Sequence, residues 1–245
     1  MMNDDGIRSA VIAGAMFLIE HQVRMLPVDP VALATECGWR VKPYTRMADR
    51  LALSLSEIIE TYGTQDAFTA FRRRPVIFYN DTVRSRERIL FSLCHEIGHI
   101  ALEHFRHGGS LTDDLRRKLD REAHAFACSL MAPAPIVQAV VTAAPDSARQ
   151  LFGMSQSAWK VRLDTLSRDM VCLGPDHCAK LLVHFDPWLQ AMRCRKCGAL
   201  HPGRVCPSCG SIRPLPSAHP EPAERRTPPR KSVPMLEAEL DNPML

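Results

Sequence analysis

His95-Glu96-Ile97-Gly98-His99 decides how this chain is read. On a helix the two histidines stand about 40° apart and about 6 Å along the axis, so both imidazoles can reach one ion. Glu96 lies beside them and can take a proton from a water at that ion. The flanking residues predict a helix from Ser85 to His104. Ile89, Leu93, Ile97 and Ile100 form one apolar stripe within about 80° of arc, and the histidines lie outside it. Two imidazoles and a carboxylate on a buried helix are costly without a partner, and a metal is the simplest partner.

The site needs a third ligand. A metzincin continues with Gly and His three and six residues after the second histidine, but Leu102 and Phe105 stand there, which excludes that class. The next helix, capped by Thr112 or Asp113 and ending at Met131 before Pro133, carries its apolar face on Leu115, Leu119, Phe126 and Leu130. Taking Leu115 as zero, Glu122 falls near about −20°, inside that face, and Asp120 near about 140°, outside it. The wheel therefore selects Glu122 over Asp120. His104 and His107 point elsewhere or lie too far along a continuing helix, and His124 points the opposite way. The expected catalytic zinc has His95, His99 and Glu122 as ligands and an open position for water. Tyr79, His104 and His107 compete as oxyanion stabilisers, and only geometry can choose among them.

The segment Phe91 to His104 resembles the active-site segment of the ImmA/IrrE metallopeptidases, as do the strand Val76-Ile77-Phe78-Tyr79-Asn80 and Arg88. Glu122-Ala123-His124-Ala125-Phe126-Ala127-Cys128-Ser129-Leu130-Met131-Ala132-Pro133 resembles the same family, with His124 for its usual Asn and Ala132 for its Met. Leu26-Pro27-Val28-Asp29-Pro30 followed by Gly38 is similar to its N-terminal helix and turn. The resemblance implies an α+β, zincin-like metallopeptidase, a small sheet plus the active-site helix. It also implies site-specific cleavage of a transcriptional repressor, commonly a helix-turn-helix protein, in a mobile-element or stress response.

Outward from that centre, Asp29 caps a short helix over 30–36, and a first helix precedes it over 7–25. Residues 39–42, 67–71 and 76–79 read as strands, and 45–66 stay ambiguous. Helices fill 134–170. Within them, Ala148 to Trp159 has a Gly turn and a Ser cap like a helix-turn-helix, so DNA contact stays open. The predicted organisation is a peptidase domain over 1–133, a helical extension over 134–175, a connector over 176–193, a zinc ribbon over 194–210 and a disordered Pro-rich tail over 211–245.

Cys194, Cys197, Cys206 and Cys209 form two Cys-x-x-Cys-Gly knuckles, the pattern of a structural zinc held by four thiolates. The expected metal content is thus one catalytic and one structural zinc. Arg193, Arg195, Lys196 and Arg204 around the ribbon leave nucleic acid open beside a protein substrate as a partner. The other five of the nine cysteines follow no disulfide spacing, and Cys172, His177 and Cys178 are too loosely spaced for a metal site. No apolar run spans a bilayer, and Asp4 and Asp5 stand where a signal peptide is positive, so the expectation is a cytoplasmic protein with no membrane partner. The net charge of +4 selects no partner. Two rivals remain: a SprT-like DNA-associated metalloprotease, and a non-enzymatic DNA-binding regulator on a zincin scaffold. The Glu122 to Met131 segment disfavours the first, and an intact Glu96 disfavours the second.

Overall fold

The computed structural model describes residues 5–62, 66–71, 73–107, 112–143, 148–201 and 203–212. The tail expected over 211–245 lies outside the described residues from 213 onward. The described part is a mostly helical α+β fold around one small sheet. Its elements in chain order are α1 (Asp5–Glu20), α2 (Pro30–Glu36), β1 (Arg40–Pro43), α3 (Tyr44–Leu51), α4 (Leu55–Tyr62), β2 (Ala67–Phe71), β3 (Pro75–Tyr79), α5 (Arg86–Ala101), a 3-10 turn (His104–His107), α6 (Asp113–Met131), α7 (Ala134–Ala143), α8 (Ala148–Leu151) and α9 (Gln156–Met192).

Local chemistry explains most of the boundaries. The Asp29 carboxylate accepts from Val31 and Ala32 N–H at the start of α2, with Pro30 at the first helical position. Ser85, Thr112 and Ser155 cap α5, α6 and α9 in the same way. Helix α1 stops at Glu20, short of the predicted residue 25, and Gln22 turns the chain with a φ of 53°. The ambiguous stretch 45–66 contains α3 and α4.

The sheet order is β1-β3-β2. β1 runs parallel to β3, pairing Arg40 with Val76, and β2 runs antiparallel to it, pairing Ala67 with Tyr79. Alternate residues of β3 face opposite ways. Ile77 joins the main core, which includes Leu93 and Ile97 of α5, while Phe78 packs with Phe68 on Tyr44 and Ile58 of α3 and α4. Helices therefore cover both faces of the sheet, and α5 lies against β2 and β3.

The main core continues through α1, α6 and α9, where Val11, Leu18, Phe126, Leu130, Leu181 and Phe185 share one buried cluster. Small residues set the helix spacings. A Cβ at Gly14 would collide with the Phe126 carbonyl oxygen, and one at Gly98 would lie 3.1 Å from the Ala123 carbonyl oxygen. Ser129 Oγ donates to the Val11 carbonyl at 2.8 Å, tying α6 to α1.

Residues 176–193, predicted as a connector, are helical through Met192. Gly174 breaks the helix with a φ of 66°, and Pro175 opens the second half, where a missing N–H costs little. Leu181, Phe185 and Leu189 bury that half, and His184 Nε2 lies 2.7 Å from the Val23 carbonyl oxygen. In the first half, Arg162 is fully buried: Nε donates to the Ala132 carbonyl at 2.8 Å and Nη1 to Asp169 Oδ2 at 2.6 Å. The Ala132 contact ties α9 to the end of α6, and Asp169, on the same helix as Arg162, neutralises the buried guanidinium. Among the described residues, no single helix is long and apolar enough to cross a membrane.

Candidate metal centre

Helix α5 sends Leu93, Ile97 and Ile100 into the core and leaves His95 and His99 on another face. Their Nε2 atoms are 3.0 Å apart. Asp120 Oδ1 of α6 lies 3.4 Å from His99 Nε2. One ligand atom from each of His95, His99 and Asp120 fits within a 4.8 Å span. Two imidazoles and a carboxylate converging so closely match the donor set of a three-ligand zinc site with an open position. Burial lowers the pKa of His95 to about 3, with His99 adding to the effect, so this imidazole stays neutral, as a ligand must.

Sequence spacing predicts Glu122 in this group, and the structure puts Asp120 there instead. The apolar stripe of α6 marks its contact with the core, not its contact with the histidines. Two helices share that stripe: Gly14 of α1 packs on Phe126, and Gly98 of α5 packs on Ala123 and Phe126. Glu122 turns toward α1, where a Cβ at Gly6 would collide with its Oε1. Asp120 lies on the side of α6 that meets His99.

Glu122 does not reach His95 or His99, but it does reach His104. Its Oε2 is 3.4 Å from His104 Nε2, and Lys118 Nζ is 3.8 Å from its other oxygen. His104 Nδ1 in turn lies 3.0 Å from His99 Nδ1. A helix continued to residue 104 would turn this ring away from the site. The helix ends at Ala101, and Glu103, with a φ of 56°, reverses the chain and brings His104 back onto His99. Burial lowers the His104 pKa to about 4.

Glu96 sits on the flank of α5 that meets the sheet, where it accepts a hydrogen bond from Thr69 Oγ1 at 2.7 Å. Burial raises its carboxyl pKa to about 7, against the pull of the Thr69 hydroxyl. A carboxyl poised there can take and return a proton near neutral pH. No sequence signal marks Thr69; only the β2–α5 packing reveals it. His124 packs on Phe91, ring centroids 4.9 Å apart, and Phe91 is one helical turn from His95.

The four ribbon cysteines also come together. Sγ atoms are 3.7 Å apart for Cys194 and Cys209, and 3.5 Å for Cys197 and Cys206. A zinc tetrahedron with 2.3 Å bonds has sulfurs about 3.8 Å apart. Two matching turns present them: Gly198 N–H donates to the Cys194 carbonyl and Gly210 N–H to the Cys206 carbonyl, each at 2.9 Å. Both glycines have positive φ, 76° and 69°. The Ser211 hydroxyl, 3.1 Å from both Cys194 and Cys209, pulls the Cys194 thiol down to about 5.

Residues 59–164 match the family model of a peptidase domain described as IrrE N-terminal-like. That span contains His95, Glu96, His99, Asp120 and Glu122, and it ends before the ribbon. No curated protein matches the chain. The family match falls on the same helices whose side chains form the candidate metal centre, and it supports both the ImmA/IrrE family and a metallopeptidase-type function for this part of the chain.

Proposed function

We propose that this protein is a zinc-dependent endopeptidase in which His95, His99 and Asp120 hold the catalytic zinc and Glu96 is the general base. The observation that carries the reading is the convergence of three ligand atoms within 4.8 Å beside a buried carboxyl. Zinc there supplies Lewis-acid polarisation of the scissile carbonyl and of a water. Glu96 accepts the proton of the attacking water and returns it to the leaving amine, with Thr69 fixing the carboxylate rotamer. The ribbon holds a second, structural zinc through Cys194, Cys197, Cys206 and Cys209. The substrate is a transcriptional repressor of helix-turn-helix type, a choice that rests on the family resemblance. The five cysteines outside the ribbon, all unpaired, support a reducing compartment, the cytoplasm.

The test is metal analysis and cleavage with the full chain and a helix-turn-helix repressor encoded beside it. The wild type holds two zinc ions and cleaves. Glu96→Gln holds two and does not cleave, and Asp120→Ala holds one. Wild-type cleavage by Glu96→Gln, or two tightly held ions in Asp120→Ala, would refute the assignment.

A further inference from the structure

His99 uses Nε2 to face His95 and Asp120, so its Nδ1 must carry the ring's proton if Nε2 is to offer a lone pair. A histidine ligand ordinarily gives that N–H to a carboxylate, a carbonyl or a water. Here the atom 3.0 Å from His99 Nδ1 is another imidazole nitrogen, His104 Nδ1. Two imidazoles can share this contact only if one donates and the other accepts. His104 Nδ1 accepts when the proton of that ring is on Nε2, and Nε2 faces the carboxylate of Glu122 at 3.4 Å. A carboxylate oxygen only accepts, so it selects the Nε2–H form of His104. The chain of contacts thus has one consistent direction, from His99 to His104 to Glu122.

Three features hold this chain in place. The His104 side chain is 6% exposed, so water competes poorly for its nitrogens. The αL turn at Glu103, with a φ of 56°, brings that ring back over α5. Gly6, in the first turn of α1, leaves room for Glu122 Oε1 where a Cβ would collide with it, and the positive end of that helix favours a carboxylate there.

We propose that His104 and Glu122 are positioning residues that hold His99 in its Nδ1–H tautomer and keep Nε2 free for the metal. The proposal rests on the reading of His95, His99 and Asp120 as a metal centre, and gives His104 and Glu122 roles outside the ligand set. It also gives His104→Asn a defined meaning, because the Asn carbonyl can accept from His99 Nδ1–H, whereas Leu cannot.

The experiment uses the full chain with its ribbon site filled by zinc as an internal reference. Histidine nitrogen NMR of the protein, with the weaker site emptied by chelator, reads the His99 tautomer directly. The expected result is Nδ1–H in the wild type and in His104→Asn, and a mixture in His104→Leu and Glu122→Leu. Zinc titration against a chromophoric chelator should show a loss of about 10–100-fold at the weaker site in both Leu variants, and near wild-type affinity in His104→Asn. A mixed tautomer in the wild type, which needs no variant to fold, overturns the proposal. So does an unchanged affinity in His104→Leu, or a loss in Glu122→Leu as complete as in Asp120→Ala, which would make Glu122 a ligand. A wild-type chain that binds only the ribbon zinc refutes the metal centre itself, while the tautomer measurement still tests the relay.

Discussion

Asp169→Ala should be one of the most destabilising single substitutions away from the metal centre. Asp169 is 1% exposed and meets Arg162, which is fully buried. Its Oδ2 accepts from Arg162 Nη1 at 2.6 Å, and its Oδ1 accepts from Arg168 Nε and Nη2 at 3.0 and 2.9 Å. Among the described residues, removing the carboxylate leaves the Arg162 guanidinium with only Thr165 Oγ1 and the Ala132 carbonyl, two neutral acceptors. Arg162 Nη2 already has no hydrogen-bond partner among the described residues. Stranding a buried charge costs about 3–5 kcal/mol. At about 2–4 °C per kcal/mol for a domain of this size, Tm should fall by roughly 6–20 °C. The double variant Arg162→Met/Asp169→Leu removes both charges. Arg168, half-exposed, then returns to water, and the Ala132 carbonyl loses its donor, for a cost of about 1–3 kcal/mol. Urea unfolding of the single and double variants, with Tm by calorimetry, checks this. A loss below about 1 kcal/mol in Asp169→Ala, or a double variant worse than the single, would refute the reasoning.

Gly14→Ala should destabilise by about 2 kcal/mol, because overpacking against the Phe126 backbone costs about 3 kcal/mol and better helix propensity returns about 1; a more stable variant in denaturant unfolding would show that α1 and α6 can spread cheaply. The metal-free protein should lose stability as pH falls from about 6.5 toward 4.5. His95 and His104 are lowered to about 3 and 4, chiefly by burial, and His99 and His124 are lowered by the same cause. The unfolded chain therefore takes protons that the folded chain refuses. Glu96, raised to about 7, acts in the opposite sense: its contribution is present below the unfolded value near 4.5 and is lost as pH rises through 7. Four imidazoles outweigh one carboxyl, so thermal melts at pH 7 and pH 5 should show the lower Tm at pH 5, and equal or rising Tm would contradict the burial of these rings.

What the sequence determined about this protein is whatever depends on neighbours in the chain. The caps Asp29, Thr112 and Ser155 fix helix starts because a side-chain oxygen satisfies an N–H two or three residues away. The His95 to His99 spacing and the two Cys-x-x-Cys-Gly turns are geometries of one helix turn and one tight turn, and both appear as expected. Tertiary structure decided everything that depends on which neighbour a face meets. A helical wheel places Glu122 inside the buried face of α6, but α1 and α5 share that face, and only their packing sends Glu122 to His104 and Asp120 to His99. The same holds for His104, whose direction depends on one residue in the αL conformation, and for Thr69, which meets Glu96 only because β2 lies on α5. The second half of α9 forms across Gly174 and Pro175 because its apolar side chains find α1 and the core. Local propensity differs among conformations by a fraction of a kcal/mol per residue, and burial of a single Leu or Phe outweighs it.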